Sequence, residues 1–383
     1  MTLQSYADRL LLLGGDGRHP AGAVVGVRTA DGCLVTAAGW AALPADGRPG
    51  VPMTPGLLLD VASVTKIAAT TPLVMRLVAD GKLGLDDLVR RHLPGFAGGG
   101  KDEVTVEQLL THTGGLQPWW PLYAEETDRQ TALLVAQRLP LAASPGSVWR
   151  YSDLGMILLG HIVERVSTLD LAEAHRRVVA EPLGLSARYG PVPPDDAATS
   201  ADSDAYEHAM LAGGRPYPVG IGPERFDGWR DRPIRGEASD GNAAHALGGV
   251  AGHAGLFATV DDLLVLGAAL RHGSFVPAKV LARFATPSPL HEEQALGFRR
   301  RQVPYAGGVL TLLHHPGFTG TWLAFALEEE LVVAGGATRL HGTTGPLPLG
   351  DATPRLPDVV QGPDIQDVLL EAGLERFHGS EER

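Results

Sequence analysis

The apolar pattern alternates near both ends of the chain and turns helical in the middle. A helix is expected over 3–13, before a stretch from Ala21 to Ala42 in which two apolar runs flank Thr29-Ala30-Asp31-Gly32, the pattern of a β-hairpin. From Ser63 the spacing is helical. Ile67, Val74, Leu77 and Val78 share a face, and Asp80-Gly81 closes the run. Pro72 lies inside it and should bend the helix or displace one hydrogen bond. Further helices are expected at 86–92, 105–112, 128–139, 153–168 and 170–180. The stretch 186–245, rich in Pro, Gly, Asp and Ala, reads as a long excursion of the kind that shapes a pocket. A helix from Asp261 to Arg271 follows, then strands at 295–303, 308–314, 321–327 and 331–336. Beyond a Pro- and Gly-rich segment, 343–363, a short helix is expected at 364–374.

Strands at both ends with helices between them predict an α/β (α+β) fold. Its central antiparallel sheet is built from both chain ends, with a mainly helical region inserted. The expected organisation is a sheet region of 1–60 and 246–345, a helical region of 61–245 containing the excursion, and a C-terminal tail of 346–383 with its short helix.

Composition narrows the function. The 383 residues are 44% apolar and 20% charged, as in ordinary globular proteins. With 44 acidic against 32 basic residues the net charge is −12, which argues against nucleic acid or an anionic membrane as partner. The N-terminus lacks a basic start, and its apolar run is only Leu10 to Leu13. No secretory signal is therefore expected, and the cytoplasm is the expected location. Cys33, the one cysteine, cannot form an intrachain disulfide and reads as a small strand residue.

Three elements carry chemistry. In Ser63-Val64-Thr65-Lys66 the serine and lysine lie three apart, on one face of a helix start, so the amine can take the proton that keeps a hydroxyl unreactive. In Tyr151-Ser152-Asp153 a phenol brought beside that ammonium becomes a candidate base for Ser63 and acid for a leaving group. In His315-Pro316-Gly317-Phe318-Thr319 small residues on a strand edge let a substrate backbone lie close, and the Phe318 N–H can join that of Ser63 as an oxyanion hole. Tyr6-Ala7-Asp8 and His112-Thr113-Gly114 repeat two of these patterns, the first in an N-terminal helix, the second at a helix end.

These elements, in this order, resemble the serine β-lactamase and penicillin-binding-protein superfamily, in its class C and family VIII esterase-like branch. The flanking text agrees: LLLDVASVTKIAATTPLVMRLVADGKLGLDD, VTVEQLLTHTGGL, PGSVWRYSDLGMILLGHIVE, GGVAGHAGLFATVDDLLVLG and HHPGFTGTWLAF. The Tyr-Ser-Asp version and AGHAGLF look most like the penicillin-binding-protein 4B-type serine hydrolases. The resemblance implies a β-lactamase/transpeptidase-like fold. It makes Ser63 the nucleophile, Lys66 its activating partner and Tyr151 the general base and acid. His315 stands where class C β-lactamases have a lysine. A largely neutral imidazole there implies weak or no β-lactamase activity, with esters or simple amides as acyl donors. Asp153 replaces an asparagine of many relatives and is expected to hold Lys66 or a cationic substrate group. Gly317, Thr319, Trp119, Trp120, Asn242 and His253 are candidate substrate contacts, the two tryptophans as walls of an apolar acyl pocket. Ala337-Thr338-Arg339 departs from the branch's Thr-Asn-Arg, with local consequences expected.

Other chemistries fit poorly. Gly95 to Lys101 has phosphate-loop spacing but no strand before it and Asp102 after it. No Gly-x-Ser-x-Gly or His-Glu-x-x-His occurs, and His314-His315 on a strand would face opposite ways. No metal or cofactor is expected. The expected function is a serine hydrolase acting through an acyl-enzyme on an ester or amide. The alternatives are a transacylase passing the acyl group to an amine or alcohol, and a silent binding module. The expected partners are a small-molecule acyl donor and an amine or alcohol acceptor. The sequence leaves the oligomeric state open.

Overall fold

The structure, a computed structural model, describes residues 1–15, 18–45, 47–305, 307–345, 347 and 358–381. Its strands are β1 (Gly22–Thr29), β2 (Gly32–Ala42), β3 (Val51–Pro52), β4 (Leu59–Asp60), β5 (Arg188–Tyr189), β6 (Thr199–Ala201), β7 (Ile234–Arg235), β8 (Leu256–Ala258), β9 (Arg299–Tyr305), β10 (Gly308–Pro316), β11 (Thr321–Ala326) and β12 (Val332–Ala337). Helix α1 is Leu3–Leu11, α2 Thr71–Ala79, α3 Val89–His92, α4 Val106–Leu110, α5 Arg129–Arg138 and α6 Asp153–Ser167. The later ones are α7 (Leu171–His175), α8 (Glu181–Leu183), α9 (Ala205–Gly213), α10 (Val260–Arg271), α11 (Ala278–Phe284) and α12 (Gly362–Glu381).

Seven strands form one antiparallel sheet in the order β3-β2-β1-β12-β11-β10-β9. The expected hairpin is there, with Thr29 opposite Gly32. The two chain ends meet where β1 pairs with β12, Ala23 opposite Ala337. Side chains alternate across the sheet as strand geometry requires. Ala23, Val25, Val27, Trp322, Ala324 and Val333 pack under α1 and α12. Val24, Leu323, Phe325 and Val332 pack on the other face, toward α10 and the helices. Gly26 and Gly267 let that face close up: a Cβ at Gly26 would lie 2.4 Å from Val260, and one at Gly267 2.6 Å from Val332.

Three expectations change. The C-terminal helix is not short: α12 runs for 20 residues and packs on β1, β12 and α1. Its buried Ile365, Val368, Leu369, Ala372 and Phe377 continue the stripe through Gly373. A Cβ at Gly373 would meet Val333 at 2.4 Å, so the glycine allows close approach and does not end the helix. The strand expected from 295 begins at Arg299, and α11 is a helix the apolar pattern did not reveal. Residues 346 and 348–357, most of the Pro- and Gly-rich segment, lie outside the described residues.

Pro72 acts as the sequence implies. Having no N–H, it leaves the Ala68 carbonyl without its helical partner, and Lys66–Thr70 widen into a π-helical turn before α2 begins. Buried His175 reaches that Ala68 carbonyl. Pro182 follows a second such turn, Arg176–Ala180.

Candidate active site

Ser63 is presented by a strained approach. Strand β4 ends at Asp60, whose buried carboxylate accepts hydrogen bonds from the Ala62 and Ser239 N–H groups at 2.9 and 2.7 Å. Ala62 takes a left-handed φ of 46°, unusual for a residue with a Cβ. The chain then winds through a 3₁₀ turn, Ala62–Val64, into the π turn, which places Lys66 beside Ser63. Ser63 is partly exposed, whereas Lys66 is fully buried. Lys66 Nζ lies 2.7 Å from Ser63 Oγ, 2.8 Å from Asp153 Oδ1 and 3.1 Å from the His253 carbonyl.

Tyr151 reaches the same point from another segment. Ser152 caps α6, its Oγ accepting from the Gly155 N–H at 3.2 Å and donating to the Gln117 carbonyl at 2.6 Å. This fixes Tyr151 just outside the helix and Asp153 on its first turn. Tyr151 Oη donates to Ser63 Oγ at 3.3 Å. His112 braces the segment: its Nδ1 accepts from the Ser152 N–H at 3.2 Å and its ring lies 4.8 Å from that of Tyr151. Burial, helped by the charges of Lys66 and Arg299, pushes its pKa down to about 3, so it remains an acceptor.

The charges follow from these contacts. Burial alone would drive Lys66 toward the neutral amine, but Asp153 and the Tyr151 oxygen more than offset this and hold its pKa above the ordinary lysine value. Burial raises the Tyr151 phenol; Lys66 pulls it down and Asp153 pushes it back up. At neutral pH the resting site holds an ammonium and a phenol. His315 is pushed well below the usual histidine range by burial and by Lys66 and Arg299. Its Nδ1 lies 2.7 Å from the Pro316 carbonyl, which assigns the proton to Nδ1 and leaves the buried, unpartnered Nε2 as an acceptor. Its ring lies 5.8 Å from that of Tyr151. Neighbouring His314 points to the opposite face, where Nδ1 accepts from Trp322 at 3.1 Å.

The turn after β10 is locked to the nucleophile. Thr319 Oγ1 donates to the Asp60 carbonyl at 2.8 Å, and Thr321 Oγ1 to that of Val61 at 2.9 Å. A Cβ at Gly317 would sit 2.1 Å from Thr321 Oγ1 and 2.5 Å from the Val61 carbonyl. Among the described residues neither the Ser63 nor the Phe318 N–H has a hydrogen-bond partner.

The remaining candidates divide. Thr319 and Gly317 act as the lock just described. Both polar atoms of buried Asn242 are engaged behind the site, Oδ1 accepting from Leu122 N and Nδ2 donating to the Trp120 carbonyl, each at 2.8 Å. The expected substrate contact of its side chain is replaced by a clamp on the tryptophan loop. His253 turns its ring to Asp240, 2.8 Å away, and offers only its carbonyl to Lys66. Trp119 is buried and stacks on Tyr217 at 6.0 Å; Trp120 is half-buried. Two groups went unforeseen. Arg299 lies 5.3 Å from the Tyr151 ring centre and has no carboxylate partner among the described residues. Tyr217, between two prolines, feels Asp153 and Tyr151, and burial, followed by these two groups, raises its pKa.

A model of the family described as Beta-lactamase matches residues 8–349. The chain belongs to the beta-lactamase family. It lies within the serine β-lactamase and penicillin-binding-protein superfamily that the motifs resemble. A putative D-alanyl-D-alanine carboxypeptidase of Escherichia coli (strain K12) is 30% identical over 304 residues, 71% of this chain and 66% of that protein. The chain thus spans just under two thirds of the length of that relative. EstCE1, a hydrolase with promiscuous acyltransferase activity, superposes with a TM-score of 0.64 at 22% identity, covering 96% of this chain and 97% of that one. A D-stereospecific amidohydrolase from Streptomyces sp. gives 0.63 at 19%, covering 96% and 98%. At these identities the two structures speak to the fold alone. This beta-lactamase-family chain carries its sheet, its nucleophile segment and its tyrosine segment inside the matched range.

Proposed function

We propose that the protein is a serine hydrolase that acts through an acyl-enzyme on an amide or ester. The observation that carries this reading is the convergence of Lys66 Nζ and Tyr151 Oη, at 2.7 and 3.3 Å, on the hydroxyl of one partly exposed serine. In the first step the Lys66–Tyr151 pair, having lost one proton to solvent, takes the Ser63 proton as Oγ bonds to the carbonyl carbon. The Ser63 and Phe318 N–H groups hold the oxyanion. The intermediate collapses, the carbonyl–heteroatom bond breaks, and the leaving amine or alcohol takes a proton from Tyr151. Water then repeats the sequence on the acyl-enzyme.

Arg299 refines the substrate class. His315 is neutral, so the permanent cation that a lysine would supply there comes from Arg299, beside Tyr151. A leaving group bearing a carboxylate fits that placement better than a simple alcohol. The name of the carboxypeptidase relative supports the same choice.

Intact-protein mass spectrometry with a fluorophosphonate tests the core reading. One adduct is expected, absent in Ser63→Ala and slowed strongly in Lys66→Ala and Tyr151→Phe; labelling unaffected by these changes refutes it. Peptides ending in a free carboxylate should be cleaved faster than their C-terminal amides, with the difference lost in Arg299→Ala. An acyl adduct that clears only when an amine or alcohol is added would favour transfer over hydrolysis.

A further inference from the structure

The Lys66 ammonium has three N–H donors and three acceptors: Ser63 Oγ at 2.7 Å, Asp153 Oδ1 at 2.8 Å and the His253 carbonyl at 3.1 Å. The amine is fully buried, so the aim of the donor facing Ser63 depends on the other two acceptors staying in place. Asp153 is held by the first turn of α6. The His253 carbonyl lies in a stretch outside every helix and strand, 248–255, built mostly of glycine and alanine. Its neighbours are tied to the nucleophile segment. The Gly252 carbonyl accepts from Thr70 Oγ1 at 2.7 Å, and the Leu256 N–H donates to Thr65 Oγ1 at 3.2 Å. These ties fix where the chain runs; they do not fix how the peptide between His253 and Ala254 is turned. Among the described residues no hydrogen bond holds the Ala254 N–H, the other end of that peptide. Its orientation falls to the buried His253 ring, whose Nε2 donates to Asp240 Oδ1 at 2.8 Å.

Asp240 is itself firmly placed. Its Oδ1 also accepts from the Ala243 N–H at 2.8 Å, and the next residue, Gly241, donates its N–H to Glu207 Oε2 at 2.9 Å. The preceding residue, Ser239, donates its N–H to Asp60 Oδ2 at 2.7 Å, and the other oxygen of that carboxylate takes the Ala62 N–H beside Ser63. Two consecutive residues thus reach the supports of the hydroxyl and of the amine. We propose that Asp240 is a positioning residue: through the His253 ring it sets the carbonyl that aims Lys66 at Ser63, while Ser239 steadies the approach to Ser63 from the same turn. This rests on the reading of Ser63 as nucleophile and Lys66 as its activating partner. The role requires an acceptor at a fixed place and does not require its charge.

Fluorophosphonate labelling at varied reagent concentration separates the limiting rate, kinact, from the reagent affinity, KI. Asp240→Asn removes the charge but keeps an oxygen that can accept from the ring, so it should retain most of kinact. Asp240→Glu keeps the charge but moves the acceptor by one methylene, and His253→Ala removes the ring. Each should lose about tenfold to a hundredfold in kinact with KI unchanged. Combining Asp240→Glu with His253→Ala should be no slower than His253→Ala alone, because one route connects both residues to Lys66. Should the longer side chain prevent folding, Asp240→Ala carries the same expectation; should His253→Ala not fold, the comparison at 240 decides alone. A native kinact in Asp240→Glu, an equal loss in Asp240→Asn, a change confined to KI, or losses that multiply in the double variant overturn the positioning role. Labelling that persists in Ser63→Ala refutes the nucleophile reading itself, whereas labelling lost there but native in Asp240→Glu refutes only the role of Asp240.

Discussion

Asp153 decides the proton economy of the site. An asparagine in its place would present Lys66 with a neutral partner; the carboxylate at 2.8 Å instead holds the amine charged. With both Lys66 and Tyr151 protonated at rest, acylation needs the pair to lose one proton, so the rate should rise with pH along an alkaline limb. Asp153→Asn removes the negative charge that favours the ammonium. The pair's apparent pKa must then fall, and the limb must move to lower pH. A pH profile of fluorophosphonate labelling checks this, and a shift upward would contradict it. The two groups titrate as a unit, so the limb reports the pair. The same substitution leaves a fully buried cation without its ion pair, and urea unfolding should show a loss of about 3 kcal/mol near neutral pH. The heads of the motifs, Ser63, Lys66 and Tyr151, were legible in sequence because acid–base chemistry restricts the residue types and helix geometry restricts one spacing. Arg299 was not legible. It sits in a run of three arginines, and only the register of β9 against β10, Arg299 opposite His314, selects which one is placed over Tyr151.

At the scale of elements, the site depends on close approaches that leave little trace in an apolar pattern. Gly317 has no room for a Cβ, so Gly317→Ala must push the β10–β11 turn away from Val61 and carry the Phe318 N–H with it. Acylation is expected to fall by about a hundredfold, the size of losing one oxyanion donor. Thermal unfolding should report only modest destabilisation. A variant that acylates at the native rate would separate the turn from the chemistry. Periodicity revealed the long strands and helices because each buries one face. It missed β4, β5 and β8, whose two or three residues are fixed by pairing partners far away in sequence. The helix expected to stop at 374 runs on to Glu381, with Gly373 packed closely on Val333. The clamping role of Asn242 was equally hidden, since its two partners are backbone groups that carry no residue signature.

At the scale of the whole molecule, three buried imidazoles besides His315 make the fold acid-sensitive. Burial is the leading cause in each case, and it brings His112 and His314 down to about 3 and His175 to about 4. The unfolded chain takes up these protons near pH 6.5, whereas the folded chain does so only near pH 3 to 4. Stability is therefore full above pH 6.5 and declines as the pH falls toward 4. Each imidazole contributes about 1.4 kcal/mol per pH unit in that window. Urea midpoints at pH 7, 6 and 5 should decline steadily; a flat series would contradict the burial of these rings. Leu369→Ala, in the face of α12 that lies on the sheet, should remove about 2–5 kcal/mol, which would show that the C-terminal helix belongs to the core.

The pairing of β1 with β12 sets an order of events on the ribosome. Strand β1 emerges early, yet one of its edges stays unsatisfied until the residues around 332–337 have been made. At usual elongation speeds the delay is about 15–60 s. A nascent chain holding the serine, the lysine and the tyrosine still lacks the strands that brace them. The newborn polypeptide is consequently inert and adhesive for most of its synthesis, and it gains a working centre only when the last part of the sheet leaves the exit tunnel.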